Sequence, residues 1–323
     1  MPDPVLSVKN LCVDYITGQG PVRAVDHVTL DVQPGEILGV AGESGSGKST
    51  LAQAVLRILP PPAVISGGSV HFKGQDLLAM GEEALRAVRW RGISMVFQSA
   101  MDSLNPVLTV EEQLLDTMTA HGGLSPEVAR TRAAELFDMV NIPVERLGSH
   151  PHQLSGGMRQ RVGIALALAL EPSLVILDEP TTALDVMVEA EILTEIKELQ
   201  QRLGFAVIFI THDLARMLQF SDRVAVFYAA RLAEVGDAAR LQSAPGHPYT
   251  RGLLGSFPSL HPGSEEPKSI PGSPPSLRTP PGGCRFHPRC PVAEPRCQTE
   301  TPPAVSISSR HVAVCHLATP RAS

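Results

Sequence analysis

The sequence predicts an α/β fold around a mainly parallel sheet, and three observations predict it. An apolar strand, a glycine-rich loop and a helix succeed one another between Glu36 and Leu59. A second apolar run, SLVILDEP at 173 to 180, ends in two acids. Strands alternate with helices on both sides of a helix-rich stretch from about 90 to 165, a pattern that places ligands at the carboxyl ends of strands.

Residues 5 to 40 read as short strands, LSVKNLCVDYI, AVDHVTLDV and EILGV, the last set off by the turn at Pro34-Gly35. The loop GESGSGKST, 42 to 50, follows G-x-x-x-x-G-K-[ST]. Behind it TLAQAVLRIL has helical apolar spacing and stops near Pro60. SGGSVHFKGQDL, 66 to 77, reads as strand and turn. The helical stretch holds VEEQLLDTMTAHG, SPEVARTRAAELFDMVNI and GGMRQRVGIALALAL. Strand, helix and strand then return as SLVILDEP, VEAEILTEIKELQQRLG and FAVIFITHD. Beyond about 245 the chain turns rich in proline, glycine and serine. The expected plan is a nucleotide-binding domain over 1–245, its helical subdomain at about 90–165, and a C-terminal extension over 246–323.

A chain of 323 residues suits two domains and can bury a full core. Its formal net charge of −6 argues against a broad nucleic-acid surface, and its 4% aromatic content against base stacking. No apolar run approaches the eighteen or so residues of a membrane span. MPDPVLSVKNL lacks the basic and then apolar regions of a signal peptide, so a cytosolic chain with reduced thiols is expected.

The loop's glycines let successive backbone N–H groups converge on phosphate oxygens, Lys48 can reach the β- and γ-phosphates, and Ser49 can offer its hydroxyl to Mg²⁺. Asp178 and Glu179 end a buried strand, suited to a Mg²⁺ contact and to polarising a water. In LSGGMRQR, 154 to 161, Ser155, Gly156 and Gly157 open a helix and can face an anion.

Together these motifs resemble the ATP-binding-cassette (ABC) ATPases, with Met158 where the LSGGQ signature has glutamine. Gln98 in MVFQ, Ala183-Leu184-Asp185 and His212 in ITHD fall in the family's order, over about residues 5 to 245. The resemblance implies a P-loop NTPase fold: a RecA-like core, a β-strand subdomain and an inserted helical subdomain. It implies ATP bound by Gly42, Glu43, Ser44, Gly45, Ser46, Gly47, Lys48, Ser49 and Thr50, with Tyr15 on the adenine. Mg²⁺ would be held by Ser49, Gln98 and Asp178; Glu179 would activate water and His212 would bond the γ-phosphate. Ser155, Gly156, Gly157 and Asp185 would serve the nucleotide at the junction of two cassettes, so one chain cannot complete a site.

SLNP at 103 to 106, YAA at 228 to 230 and HPYTRGLL at 247 to 254 resemble the dipeptide/oligopeptide/nickel importer ATPases, and among them the D-type subunit. YAA departs from the usual YAG, and QSAMDSLNP from QDPMTSLNP. This implies an F-type partner cassette, two transmembrane permeases and an extracytoplasmic solute-binding protein, at the cytoplasmic face of the membrane. Peptide is the expected cargo; nickel and other peptide-like solutes stay open, as does a soluble ABC protein on ribosomes or DNA. Cys284, Cys290, Cys297 and Cys315 form C-x5-C-x6-C-x17-C. Similar importer ATPases carry a [4Fe–4S] cluster on this pattern, and four thiolates suit it; Zn²⁺ is the alternative, though the paired C-x2-C knuckles of zinc ribbons are missing. His287, His311 and His316 read as surface residues and Cys12 as core.

Overall fold

The computed structural model describes residues 3–98, 104–181, 184–256 and 269–320. Ser103 of SLNP and Ala183 of Ala183-Leu184-Asp185 lie outside the described residues. The chain divides into two compact units, one of Met1–Leu6, Val32–Glu36 and Phe72–Phe209, the other of Ser7–Asp31, Ile37–His71 and Ile210–Ser323.

In the first unit, strand Leu174–Asp178 lies between Ile93–Val96 and Ala206–Ile210. Ile93–Val96 runs parallel to it, Ile93 opposite Leu174 and Val96 opposite Leu177. Every residue of these three strands is buried, which is why they read as largely apolar runs, Ser94 and Asp178 excepted. The stretch from residue 90 thus opens with a strand, and among the described residues its first helix is Val110–Gly122; four residues of ISMV are too few to show a period. Helix Val110–Gly122 starts in a Thr109/Glu112 capping box and stops at Gly123, whose φ is 66°. Helix Pro126–Met139 starts at the Ser125 cap and buries Ala129, Ala133, Leu136 and Phe137, one stripe at helical spacing. Helix Gly156–Leu168 is tied to helix Val186–Leu203 by Arg161, whose guanidinium meets Glu195 at 2.9 and 2.8 Å.

Two sheets build the second unit. In one, Leu6–Thr17 lies between Gly20–Val32 and Ala63–Phe72. In the other, the order is Ala304–Ser308, His311–Val314, Arg231–Asp237, Arg223–Tyr228, Ile37–Gly42. Its last pair is parallel, Leu38 opposite Arg223, and the other three are antiparallel. The C-terminal extension therefore contributes two strands to the sheet that carries the phosphate-loop strand. Their short runs, AVSIS and HVAV, carry too little alternation to be read from sequence.

That attachment is sealed by a buried pair. His311 is 2% exposed and its Nε2 lies 2.6 Å from Glu234, which also accepts N–H bonds from Gly246 at 2.5 Å and His247 at 3.0 Å. The expectation that His311 is a surface residue is therefore corrected: the carboxylate draws it into the core. Burial pushes the Glu234 carboxyl up, but His311 and the two backbone donors outweigh it and hold it below the ordinary range.

Candidate functional site

The phosphate loop turns out of strand Ile37–Gly42 into helix Lys48–Val55 through two glycines that no other residue could replace without displacement. A Cβ on Gly42 (φ 148°) would sit 2.3 Å from the Phe227 carbonyl oxygen, and one on Gly47 (φ 103°) 2.1 Å from that of Ala24. Lys48 is buried and donates to the carbonyls of Gly42 at 2.8 Å and Glu43 at 3.1 Å, oxygens that hold its ammonium over the loop. Ser46 Oγ is buried without a hydrogen-bond partner, while Ser44 and Gly45 face solvent. An open-mouthed cradle with an orphaned hydroxyl and a lysine held on exchangeable carbonyls fits a triphosphate. Tyr15 stands beside it, its hydroxyl 3.3 Å from Thr50 Oγ1, and Ser49 is half-buried in the first helical turn.

Glu43 behaves differently from its loop neighbours. Its carboxylate takes both arms of the Arg289 guanidinium, at 2.7 and 3.0 Å, and its N–H donates to the Tyr249 hydroxyl at 3.1 Å. That ion pair raises the Arg289 pKa above its ordinary value, and burial raises that of Tyr249. Neither Arg289 nor Tyr249 was singled out from sequence. Tyr249 lies inside HPYTRGLL and Arg289 between Cys284 and Cys290, but nothing local says that they reach a loop over 200 residues away, at separations of 206 and 246.

In the first unit, Asp178 is the buried last residue of its strand and Glu179 the first residue beyond it. Glu179 has φ 48°, a left-handed backbone that a non-glycine residue adopts at a cost of about 1–3 kcal/mol. The Gln98 amide donates to Glu179 Oε2 at 2.9 Å, so these two predicted residues are brought together. Ser155 caps Gly156–Leu168, its Oγ accepting from Met158 N at 3.2 Å; a Cβ on Gly157 would meet Val188 at 2.9 Å. Asp185 caps Val186–Leu203, accepting from Met187 and Val188 N–H at 3.1 and 3.0 Å. Ser155 and Asp185 are exposed, as are Val186 and Met187 at 67% and 72%, a surface with apolar side chains bare beside a polar one. In the second unit, His212 is exposed, next to Asp213, which caps helix Leu214–Phe220.

Comparison with known proteins decides the family. The ABC transporter family matches residues 25–182, and the oligopeptide/dipeptide transporter C-terminal region matches 233–297. The dipeptide transport ATP-binding protein DppD of Bacillus subtilis is 44% identical over 323 residues, 99% of this chain and 96% of the relative. The oligopeptide transport ATP-binding protein OppD of the same organism is 43% identical over 95% of this chain and 87% of its own. The chain belongs to the ATP-binding subunits of ABC transporters.

The cassette fold is shared with solved structures. The dimeric cassette MJ0796 bound to ADP and Pi, in a post-hydrolysis state, has TM-score 0.65 and 30% identity over 72% of this chain and 98% of that one. The cbiO1 component of the cbiONQ transporter of Clostridium perfringens has TM-score 0.64 and 28% identity over 75% and 92%. As an ABC ATP-binding subunit the chain is an ATPase, and ATP with Mg²⁺ are its implied ligands. No described helix is long and apolar enough to cross a membrane. The YAA departure now has a physical face: Ala230 has φ 71°, where glycine is at ease, and is held there by bonds from its N–H to Ser46 O at 3.0 Å and from Asp26 N–H to its carbonyl at 2.8 Å.

The four tail cysteines are gathered in the second unit. Cys284 N donates to Cys297 O at 2.9 Å, and burial raises the thiol pKa of Cys284, Cys290 and Cys315. Among the described residues, the group of three or more ligand atoms within 4.8 Å is Cys12, Asp26 and His27, so the tail sulfurs are not drawn that tightly together. Asp26 is meanwhile engaged by Arg231 and Arg285, each at 2.6 Å, a setting hostile to a cation. Cys12 is buried in its strand, as the sequence suggested.

Proposed function

We propose that this chain powers a peptide importer by hydrolysing ATP between two facing cassettes, and that the residues above divide the work as follows. The observation that carries the reading is the Gln98–Glu179 contact at 2.9 Å beside Asp178. An amide donor orients a carboxylate, as a base acting on water requires. Ser49, Gln98 and Asp178 would hold Mg²⁺, which would neutralise phosphate charge. Lys48 exchanges its loop carbonyls for β- and γ-phosphate oxygens, Tyr15 packs on the adenine, and His212 bonds the γ-phosphate. Ser155, Gly156, Gly157 and Asp185 of the facing cassette complete the site, so closure requires the γ-phosphate and its loss releases the pair.

The facing cassette in this reading is an F-type paralogue. The names of the relatives, dipeptide and oligopeptide transport, support peptide as the cargo; two permeases, a solute-binding protein and a peripheral position on the cytoplasmic face complete the proposal. Cys284, Cys290, Cys297 and Cys315 would hold a [4Fe–4S] cluster, with Zn²⁺ as the alternative; the four thiols and their C-x5-C-x6-C-x17-C spacing support this.

The test is purification of the intact complex. Two polytopic membrane proteins should accompany the chain, and peptide-loaded binding protein should raise ATP turnover. Stable association with ribosomes or DNA and no permease would contradict the reading.

A further inference from the structure

A loop built to receive a triphosphate carries a carboxylate at its second position, Glu43. Left charged and free, it would repel the polyanion that the loop's N–H groups attract. The structure turns it away. Its two oxygens are taken by Arg289, and its N–H by Tyr249, which is fully buried. Arg289 is itself fixed: Nε donates to Pro271 O at 2.8 Å, one arm reaches the Tyr228 hydroxyl at 3.3 Å and the other Gly272 O at 3.4 Å.

The guanidinium's position comes from the cysteine-bearing segment. Arg289 ends the short 3₁₀ turn His287–Arg289, which runs between Cys284 and Cys290 and is closed by His287 N to Cys284 O at 3.0 Å and Cys290 N to His287 O at 3.3 Å. The same segment makes a second contact near the loop. Arg285, beside Cys284, donates to Ala229 O and to Asp26 at 2.6 Å, and the next residue, Ala230, donates its N–H to Ser46 O at 3.0 Å. One turn of the tail therefore reaches both Glu43 directly and Ser46 through Ala230.

We propose that Arg289 is a positioning residue of the nucleotide site: it neutralises Glu43 and holds it off the triphosphate, so the cysteine-bearing tail sets how tightly the phosphate loop binds ATP. The proposal rests on the reading of Gly42–Thr50 as the nucleotide site. It gives the extension a role in every binding event, whatever its thiols ligate.

The test is equilibrium binding of Mg-ATP to the purified full chain. Arg289→Ala should weaken binding roughly ten-fold, and the deficit should shrink as salt screens the freed carboxylate. Arg289→Ala with Glu43→Gln should recover to within about three-fold of wild type, since the unneutralised charge is gone. A loss that came only from the tail's packing would not be rescued by removing the Glu43 charge. Wild-type affinity in Arg289→Ala, or a double variant no better than the single, overturns the proposal. Should Arg289→Ala not melt cooperatively, Arg289→Gln is judged by the same two criteria. Lys48→Ala separates the premises: if it keeps wild-type affinity, the nucleotide-site reading fails; if it loses affinity and Arg289→Ala does not, only the brace fails.

Discussion

Glu43 and Glu179 occupy equivalent places, each the first residue after a buried strand of the parallel kind, Ile37–Gly42 and Leu174–Asp178. Glu43 meets a guanidinium that grips both its oxygens. Glu179 meets a neutral amide that touches one. A carboxylate held on both oxygens by arginine is a structural tie; one that accepts an amide N–H is oriented by it. On the proposed function, the same side chain at the same kind of strand end takes two tasks, distinguished by its partner.

The most severe way to break this contrast is to give Glu179 the partner that Glu43 has. Gln98→Arg should lower ATP turnover roughly a thousand-fold, the scale of a lost general base, with protein still folded by thermal melt. Full turnover would mean that the partner does not set the role.

A second, smaller effect sharpens the Glu43 side. His247 Nδ1 accepts the Tyr249 N–H at 3.0 Å, and burial depresses the His247 pKa from 6.5 to about 4. A folded pKa below the unfolded one means the stability is complete above about pH 6.5 and is lost as pH falls toward 4, up to about 3 kcal/mol in all. Urea melts across that window should show the decline, and His247→Asn, which can still cap the helix, should flatten it.

The smallest effect concerns the loop's rim. Tyr15→Phe removes a hydroxyl that sits at a long 3.3 Å from Thr50 and keeps the ring, so Mg-ATP affinity should change by no more than about three-fold. Tyr15→Ala should lose more, and equal losses would locate the effect in the hydroxyl instead of the ring.

How much of this could be read in the sequence follows from the range of the interactions. The loop 42–50 was legible because strand, glycines, lysine and helix are consecutive, and the helix Val110–Gly122 because cap, period and terminal glycine are local. Glu179 was legible as an acid after an apolar run, but its left-handed backbone was not, since φ there follows from tertiary packing. Arg289 and Tyr249 were illegible for the same reason: a long-range ion pair leaves no period or spacing in the chain. The tail strands Ala304–Ser308 and His311–Val314 were too short to announce themselves, and His311 looked like surface until Glu234 supplied its partner.

The account stands most directly on phosphate release by Glu179→Gln in the assembled transporter at saturating Mg-ATP, measured together with closure of the two cassettes. It predicts a complex that closes and retains ATP while turnover falls below about one-hundredth of wild type. Turnover within a few-fold of wild type would contradict it.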